Sequence, residues 1–140
     1  MADLERFVAA QEPVIRTALE ELRAGQKRTH WMWFVFPQLG ALGRSPRAKF
    51  YGLADLNEAR AYFAHPLLGP RLLACTQAVN AVSGRSAREI FGSPDDLKFR
   101  SSMTLFHRAA PHEPAFGTAL ARYYGGVEDE ATIALLGAGG

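Results

Sequence analysis

Apolar residues recur along this chain at helical spacing, and proline, glycine or capping residues interrupt the pattern at short intervals. In the segment 13–24 the apolar positions are 14, 15, 18, 19 and 22, while most other positions are charged, and Gly25 follows. In the segment 67–82 the apolar residues at 68, 72, 75, 78, 79 and 82 share one face. Because this spacing places the apolar residues on one face, it predicts an amphipathic helix in each segment.

Capping residues predict where further helices begin. Asp55 and Ser86 are each followed three residues later by a glutamate, which is the capping-box pattern. Asp3 and Asp129 can cap the first and last helices, and the sequence Ser93-Pro94-Asp95-Asp96 is a strong helix start. We therefore predict an all-α fold, a single compact domain of eight or nine short helices around a central helix.

The segment 31–36, Trp-Met-Trp-Phe-Val-Phe, contains both tryptophans and is the strongest candidate for the core. Its composition favours a strand, and a run this short cannot be assigned by periodicity. However, no other segment has the pattern of a strand that could pair with it, and a lone buried strand would leave backbone groups unpaired. We therefore predict a helix here.

Length and composition indicate one globular domain over residues 1–136, followed by a flexible tail at 137–140. Hydrophobic residues make up 48% of the 140 residues and charged residues 21%, and the net charge of +2 is too small to indicate nucleic acid. The longest apolar run is far shorter than the roughly 20 residues that span a bilayer, and the charged N-terminal segment does not resemble a signal peptide. We expect a cytoplasmic protein without membrane contact.

The segment 94–110 has apolar residues on nearly all faces, which is typical of a helix surrounded by others. Its polar residues then need partners, and they are Lys98, Arg100, Ser101, Ser102 and Thr104. Either they form a satisfied network in the core, with an Asp96–Arg100 pair along the helix, or they line a pocket. Lys98 requires a carboxylate or an anionic ligand as its partner. The candidate carboxylates are those of Asp55, Asp95 and Asp96.

Among the four histidines, His30 beside the tryptophans is the candidate acid or base, although it could equally be a hydrogen-bonded histidine at the edge of the core. The histidines lack the spacing of metal ligands, so we predict no metal site, and we predict no cofactor. A Gly/Pro-rich loop and the helix after it carry four further polar residues: Arg44, Ser45, Arg47 and Lys49. They either bind an anion or form a solvated basic loop.

Several longer motifs resemble those of one bacterial family. They are HWMWFVFPQ at 30–38, G-x-S at 43–45, HP-x-LG-x-R at 65–71, IFG-x-x-D-x-x-K at 90–98 and SSMTLF at 101–106. Together they resemble the bacterial domain-of-unknown-function family eighteen-ten over residues 3–136. The resemblance implies a mainly helical single domain with one enclosed helix, and it implies no activity, because none is established for the family. Some members carry the label calpastatin, but that inhibitor is a disordered repeat protein, unlike this chain.

The family pattern includes Tyr51 and our nine candidate site residues: His30, Trp31, Trp33, Gln38, Ser45, Lys98, Ser101, Ser102 and Thr104. It leaves out His107, Arg44 and Arg47. We predict a pocket between the aromatic segment 31–36 and the segment 98–104, suited to a small anionic, nucleotide-like ligand. A tryptophan would stack on the ligand, Lys98 would bind its negative charge, the hydroxyls would donate hydrogen bonds, and His30 would act as acid or base. The alternative is a non-enzymatic interaction or homodimerisation module whose polar motif is structural.

Overall fold

Ten α-helices and one short 3₁₀ helix account for the secondary structure of residues 3–138, which are the residues that the computed structural model describes. The α-helices are α1 (Glu5–Gln11), α2 (Ile15–Arg23), α3 (Met32–Val35), α4 (Pro46–Phe50), α5 (Leu56–Ala64), α6 (Leu68–Asn80), α7 (Ala87–Phe91), α8 (Asp95–Ala109), α9 (Pro114–Tyr124) and α10 (Glu130–Ala138), and the 3₁₀ helix is Gly40–Leu42. Within residues 3–138 there is no β-strand, only an isolated parallel bridge between Leu39 and Leu53. The all-α prediction is confirmed, with ten α-helices in place of eight or nine.

The predicted caps fix several helix starts. The Asp55 carboxylate accepts the Glu58 N–H at 2.9 Å, and α5 begins at the next residue, Leu56, as this cap predicts. At α7 the Ser86 hydroxyl accepts the Glu89 N–H at 3.1 Å, while the Glu89 carboxylate accepts the Ser86 N–H at 2.8 Å. These reciprocal bonds satisfy backbone donors that the first turn of a helix leaves unpaired.

The starts of α1 and α8 and the end of α10 differ from the prediction. Leu4, and not Asp3, occupies the N-cap position of α1, although the Asp3 carboxylate accepts the Glu5 N–H at 3.2 Å. Helix α8 begins at Asp95, because Pro94 occupies the N-cap position and its carbonyl accepts the N–H groups of Leu97 and Lys98. Ser93 therefore does not cap this helix. Helix α10 continues through Ala138, two residues beyond the predicted end of the domain at 136, and the flexibility of the tail stays a prediction. The remaining tail positions, 139 and 140, lie outside the described residues.

Helix α8 is the enclosed central helix. It packs against α5, α7, α9 and α10, and most of its residues from Phe99 to Ala109 are buried. The centroid of the Phe106 ring lies 5.4 Å from the ring centroid of Tyr62 on α5 and 5.7 Å from that of Phe116 on α9. These contacts form the centre of the core and confirm the prediction of one helix surrounded by the others.

The aromatic segment 31–36 forms a helix of only four residues, α3. The chain then extends, and Gln38 C=O and Gly40 N–H bond to the N–H and C=O of Leu53, each at 2.9 Å. Gly40 and Gly52 are in such close contact that a Cβ on Gly52 would lie 2.2 Å from the Gly40 Cα. Helix α3 ends at Val35 because Pro37 disfavours the helical conformation at Phe36, and the backbone pairing with Leu53, which the sequence pattern did not reveal, holds the extended residues that follow.

Within residues 3–138, no helix has both the length and the apolar composition needed to cross a bilayer.

Candidate functional site

The segment that leads into the tryptophans is folded around the carboxylate of Glu21, a buried residue on α2. One carboxylate oxygen accepts the N–H groups of Arg28 and Thr29 at 2.8 and 3.1 Å and the Trp31 indole N–H at 2.9 Å. The other accepts the Thr29 hydroxyl at 2.7 Å. Because four donors converge on one side chain, Glu21 determines the path of residues 28–31.

These hydrogen bonds also control the protonation of Glu21. Burial raises the pKa of the carboxyl, but the bonds from Arg28, Thr29 and Trp31 to the ionised form act in the opposite direction. The net result is a pKa below its ordinary value of 4.5. The carboxylate is therefore ionised at neutral pH, in the form that accepts all four bonds.

Trp31 is a core residue in this arrangement. Its side chain is 0% exposed, its N–H is bound to Glu21, and the Lys27 ammonium lies 5.2 Å from its ring centroid. The Lys27 N–H in turn donates to the carbonyl of Ile90 on α7 at 2.7 Å. Since a ligand cannot reach a fully buried ring, the stacking role predicted for either tryptophan can apply only to Trp33.

Trp33 is partly exposed and lies between cations from two separate segments. The Arg47 guanidinium of α4 and the Lys98 ammonium of α8 each lie 5.2 Å from its ring centroid. Both distances are within the range of cation–π attraction. The two cations are consequently no more than twice that distance apart, although α4 and α8 are distant in sequence.

Asp95 connects Lys98 with Lys27. One of its carboxylate oxygens is 2.9 Å from the Lys27 ammonium and the other is 3.5 Å from the Lys98 ammonium. The Lys98 side chain is 27% exposed, whereas that of Lys27 is 7% exposed. Asp95 is thus the partner of Lys98, and not Asp55 or Asp96. We call this group the Trp33 surface, and its members are Lys27, Trp33, Arg47, Asp95 and Lys98.

The hydroxyl groups of α8 are directed into the protein interior. Ser101 donates to the Leu97 carbonyl at 3.2 Å, and Thr104 donates to the Arg100 carbonyl at 2.8 Å while accepting the Asp129 N–H at 2.9 Å. Thr104 is 0% exposed, and its bond with the Asp129 N–H joins α8 to the start of α10. The hydrogen bonds of these two hydroxyls are those of a satisfied network in the core, which was the alternative to a pocket.

Three other polar groups of α8 differ from the predicted network. Ser102 is fully buried, and within residues 3–138 its hydroxyl has no hydrogen-bond partner. Arg100 does not pair with Asp96; its guanidinium donates to the carbonyls of Val127 and Glu128. One buried carboxylate oxygen of Asp96 likewise has no partner in the described part of the chain. Arg100 instead joins α8 to the loop before α10.

Among the described residues, no side-chain hydrogen bond or ion pair joins His30, Gln38 or Ser45 to Trp33 or Lys98. His30 is exposed, and within residues 3–138 its ring forms no hydrogen bond. Ser45 caps α4 by accepting the Ala48 N–H at 3.1 Å, and Gln38 is half-buried with its backbone paired to Leu53. The structure therefore brings together Trp33 and Lys98 from the predicted set, and not the whole set.

Three residues of the Trp33 surface were absent from the predicted site: Lys27, Arg47 and Asp95. Arg47 was noted as part of a basic loop, and Asp95 as one candidate partner of Lys98. Lys27 carried no signal, because its position depends on the path that Glu21 gives to the following residues. In residues 3–138 no group of three His, Cys, Asp or Glu side chains could hold a metal ion.

Comparisons with known proteins give one family and one closely similar structure. The family described as "Protein of unknown function (DUF1810)" matches residues 1–136. No curated protein matches the chain. The crystal structure of the conserved hypothetical protein Rv1873 from Mycobacterium tuberculosis is similar, with 63% sequence identity and a TM-score of 0.95. The similarity covers 96% of this chain and 96% of that one, and it supports the all-α fold.

Proposed function

We propose that this chain, which belongs to the family "Protein of unknown function (DUF1810)", binds a small anionic ligand at the Trp33 surface. The match over residues 1–136 confirms the resemblance drawn from the motifs, and the family description assigns no activity. The observation that carries the proposal is a local excess of positive charge. The Trp33 surface has three cationic side chains, those of Lys27, Arg47 and Lys98, and its one carboxylate, that of Asp95, pairs with the two lysines only.

The charges of this surface are arranged to leave positive potential facing solvent. Asp95 uses both oxygens for the two lysines, and Arg47 forms no ion pair among the described residues. Asp96, the next residue of α8, approaches Tyr124 of α9, whose hydroxyl donates to its carbonyl at 2.5 Å. Lys98 is partly withdrawn from water, and such a cation attracts an anion more strongly than a fully solvated one, while Arg47 is exposed on the other element that contacts Trp33. An anion at this surface would therefore bind Lys98 and Arg47 together.

The partly exposed ring of Trp33 favours an anion that also has a planar group, which would take the place of one of the two cations over the ring as that cation turns to the anionic group. Stacking of a nucleobase on an aromatic side chain contributes about 1–3 kcal/mol, and Arg and Lys bind phosphate through charge-assisted hydrogen bonds. A nucleotide contains both groups. Ser45, two residues before Arg47, and the half-buried Gln38 are candidates for further hydrogen bonds. His30 is the proposed acid or base of any reaction at this surface.

Calorimetric titration with pyrophosphate, ribose 5-phosphate and AMP tests the proposal. We expect saturable binding of all three, with AMP tighter than ribose 5-phosphate because only AMP can stack on Trp33. Lys98→Met and Arg47→Gln should each lower the affinity at least about tenfold, since a hydrogen bond to a charged group is worth about 1.5–3 kcal/mol.

Lys49→Met is the matched control, because Lys49 is an exposed lysine of α4 for which the described residues provide no ion pair or ring contact. It should leave the affinities unchanged. If Lys49→Met weakens binding as much as Lys98→Met, the attraction is a general effect of charge and the site is not at Trp33. Absence of binding at millimolar concentrations of all three compounds would also refute the proposal.

A second candidate function, an interaction or dimerisation module, is supported by exposed apolar side chains near the same helices. Leu97, the neighbour of Lys98 on α8, is 57% exposed, and Phe50 at the end of α4 is 58% exposed. Large apolar side chains on the surface mark protein contacts when they form a continuous patch. Sedimentation analysis should then detect a dimer that Leu97→Asp dissociates. A monomer at all concentrations would exclude self-association.

We also propose a cytoplasmic location in a bacterial cell. The similar structure is that of a bacterial protein, which supports the bacterial source. Fractionation of the native host, followed by immunodetection, tests the location, and recovery of the protein outside the cytoplasmic fraction would contradict it.

A further inference from the structure

A cleft of about 320 Å³ lies where the start of α5 meets α10 and the 3₁₀ helix. Its apolar part is formed by side chains from three elements, and its polar part by residues of α5 and the cap of that helix. The residues that matter here are Leu39, Leu56, Leu135, Leu136, Asp55 and Arg60. The volume is at the small end of the range of ligand pockets. None of the residues of the Trp33 surface lines it.

Two opposite charges line this cleft without neutralising each other. Within residues 3–138, neither the Asp55 carboxylate nor the Arg60 guanidinium has an ion-pair partner within 4.0 Å. One oxygen of Asp55 caps α5 by accepting the Glu58 N–H. Arg60 makes only a long contact of 3.4 Å with the amide oxygen of Asn57. Each therefore retains the capacity to bind an oppositely charged group.

From this combination we propose that the cleft binds a small zwitterion with an apolar side chain, an α-amino acid of the size of leucine or phenylalanine. The ligand ammonium binds the second oxygen of Asp55, and the ligand carboxylate forms charge-assisted hydrogen bonds with the Arg60 guanidinium. The ligand side chain packs against the leucines from the 3₁₀ segment, α5 and α10.

The charge balance selects a zwitterion over a simple acid or amine. A monocarboxylate would pair with Arg60 but would leave its apolar body beside an uncompensated Asp55, and an amine would have the reverse defect. A ligand with both groups meets both charges at once. The apolar part of the cleft excludes strongly polar side chains, because these would be desolvated without partners.

Calorimetric titration with L-leucine, L-phenylalanine, 4-methylpentanoate and isoamylamine tests the proposal. The last two compounds resemble leucine without the ammonium and without the carboxylate, respectively. We expect saturable binding of an amino acid and at least tenfold weaker binding of both analogues. Equal affinity for leucine and 4-methylpentanoate would overturn the proposal, as would absence of binding by both amino acids.

Two variants locate the site. Arg60→Gln removes an exposed cation, and Asp55→Asn removes the charge while keeping an oxygen that caps a helix equally well. Both should retain the melting temperature of the original protein and lower the affinity for the amino acid at least tenfold. Arg16→Gln, which changes an exposed arginine of α2 without an ion pair in the described chain, is the control and should bind normally.

This inference is independent of the anion site, and the experiments separate the two. Lys98→Met should weaken the binding of pyrophosphate at least about tenfold and leave that of leucine unchanged, while Arg60→Gln should weaken the binding of leucine and leave that of pyrophosphate unchanged. If Arg60→Gln and Asp55→Asn both bind leucine with the original affinity, the amino acid binds elsewhere and the proposed cleft is wrong.

Discussion

Replacing Glu21 by glutamine should destabilise the fold measurably although the two side chains have the same shape. In the native protein the Glu21 carboxylate accepts two backbone N–H groups, the Thr29 hydroxyl and the Trp31 indole N–H. A glutamine can keep the three bonds to one oxygen, and its amide nitrogen can donate to the Thr29 hydroxyl. Glu21→Gln therefore tests the contribution of the charge and not that of the contacts.

The magnitude follows from the difference between charged and neutral hydrogen bonds. A bond to a charged group contributes about 1.5–3 kcal/mol and a neutral one about 0.5–1.5 kcal/mol. Because the burial of the charge offsets part of the gain, we expect Glu21→Gln to lower the free energy of unfolding by about 1–3 kcal/mol. For a chain of this length, about 3 °C of melting temperature is lost per kcal/mol. Glu21→Ala should cost more, since it leaves the Trp31 N–H buried without an acceptor.

The pH dependence provides a second measurement. The pKa of Glu21 is lower in the folded protein than its ordinary value of 4.5, so the folded state favours the ionised form. Its contribution to stability is complete above the unfolded pKa and is lost as the pH falls through the folded pKa. Urea unfolding followed by tryptophan fluorescence should show a difference between the original protein and Glu21→Gln that is full at pH 7. The difference should decrease below about pH 4.5.

Glu20→Gln is the matched control, because Glu20 is the exposed neighbour of Glu21 on α2. It should change the free energy of unfolding by no more than about 0.5 kcal/mol. If Glu21→Gln is as stable as the original protein at pH 7 and has the same acid transition, the charge of Glu21 does not stabilise residues 28–31. In that case the ionised Glu21 carboxylate does not determine the path of this segment.

Three further predictions concern the core. Phe106→Ala should lower the free energy of unfolding by about 3–5 kcal/mol in urea titrations, because the ring is fully buried among other aromatic side chains. Gly52→Ala should cost about 1–3 kcal/mol or more, since its Cβ would collide with the backbone of Gly40, whereas Gly137→Ala, with open space around it, should be neutral or stabilising. Cys75 should resist a thiol reagent until the protein is unfolded, because burial raises its pKa to about 12.

The fold was largely predictable because local signals agree with the tertiary structure. Capping residues such as Asp55 and Ser86 satisfy backbone donors within one turn, so their effect does not depend on distant segments. The apolar residues on all faces of α8 likewise indicated an enclosed helix, because this pattern is visible within one segment of the sequence. The pairing of residues 38–40 with Leu53 could not be predicted, because no local pattern indicates a single bridge between two segments.

The candidate site was predictable only in part, because it depends on contacts between distant segments. Trp33 and Lys98 were both selected from the sequence, and they are in contact. Their other partners are Arg47 on α4 and Lys27 in the segment before the tryptophans. Helical periodicity does not indicate that either residue lies near Trp33 and Lys98. For Ser101 and Thr104 the residue type suggested ligand contacts, but hydroxyls inside a helix also bond to the carbonyl four residues before, as both do here.

The difference between scaffold and site in this protein lies in the balance of charge and hydrogen bonds. The hydroxyls of Ser101 and Thr104 have partners within the chain, so they need no ligand. At the Trp33 surface the cations outnumber the only carboxylate by two, and Asp95 has already used both of its oxygens. The remaining positive charge must be met by solvent ions or by a bound anion. Because Glu21 fixes the segment before Trp31, and Asp95 fixes both lysines, such an anion would meet groups that are already in position and would lose little affinity to their ordering.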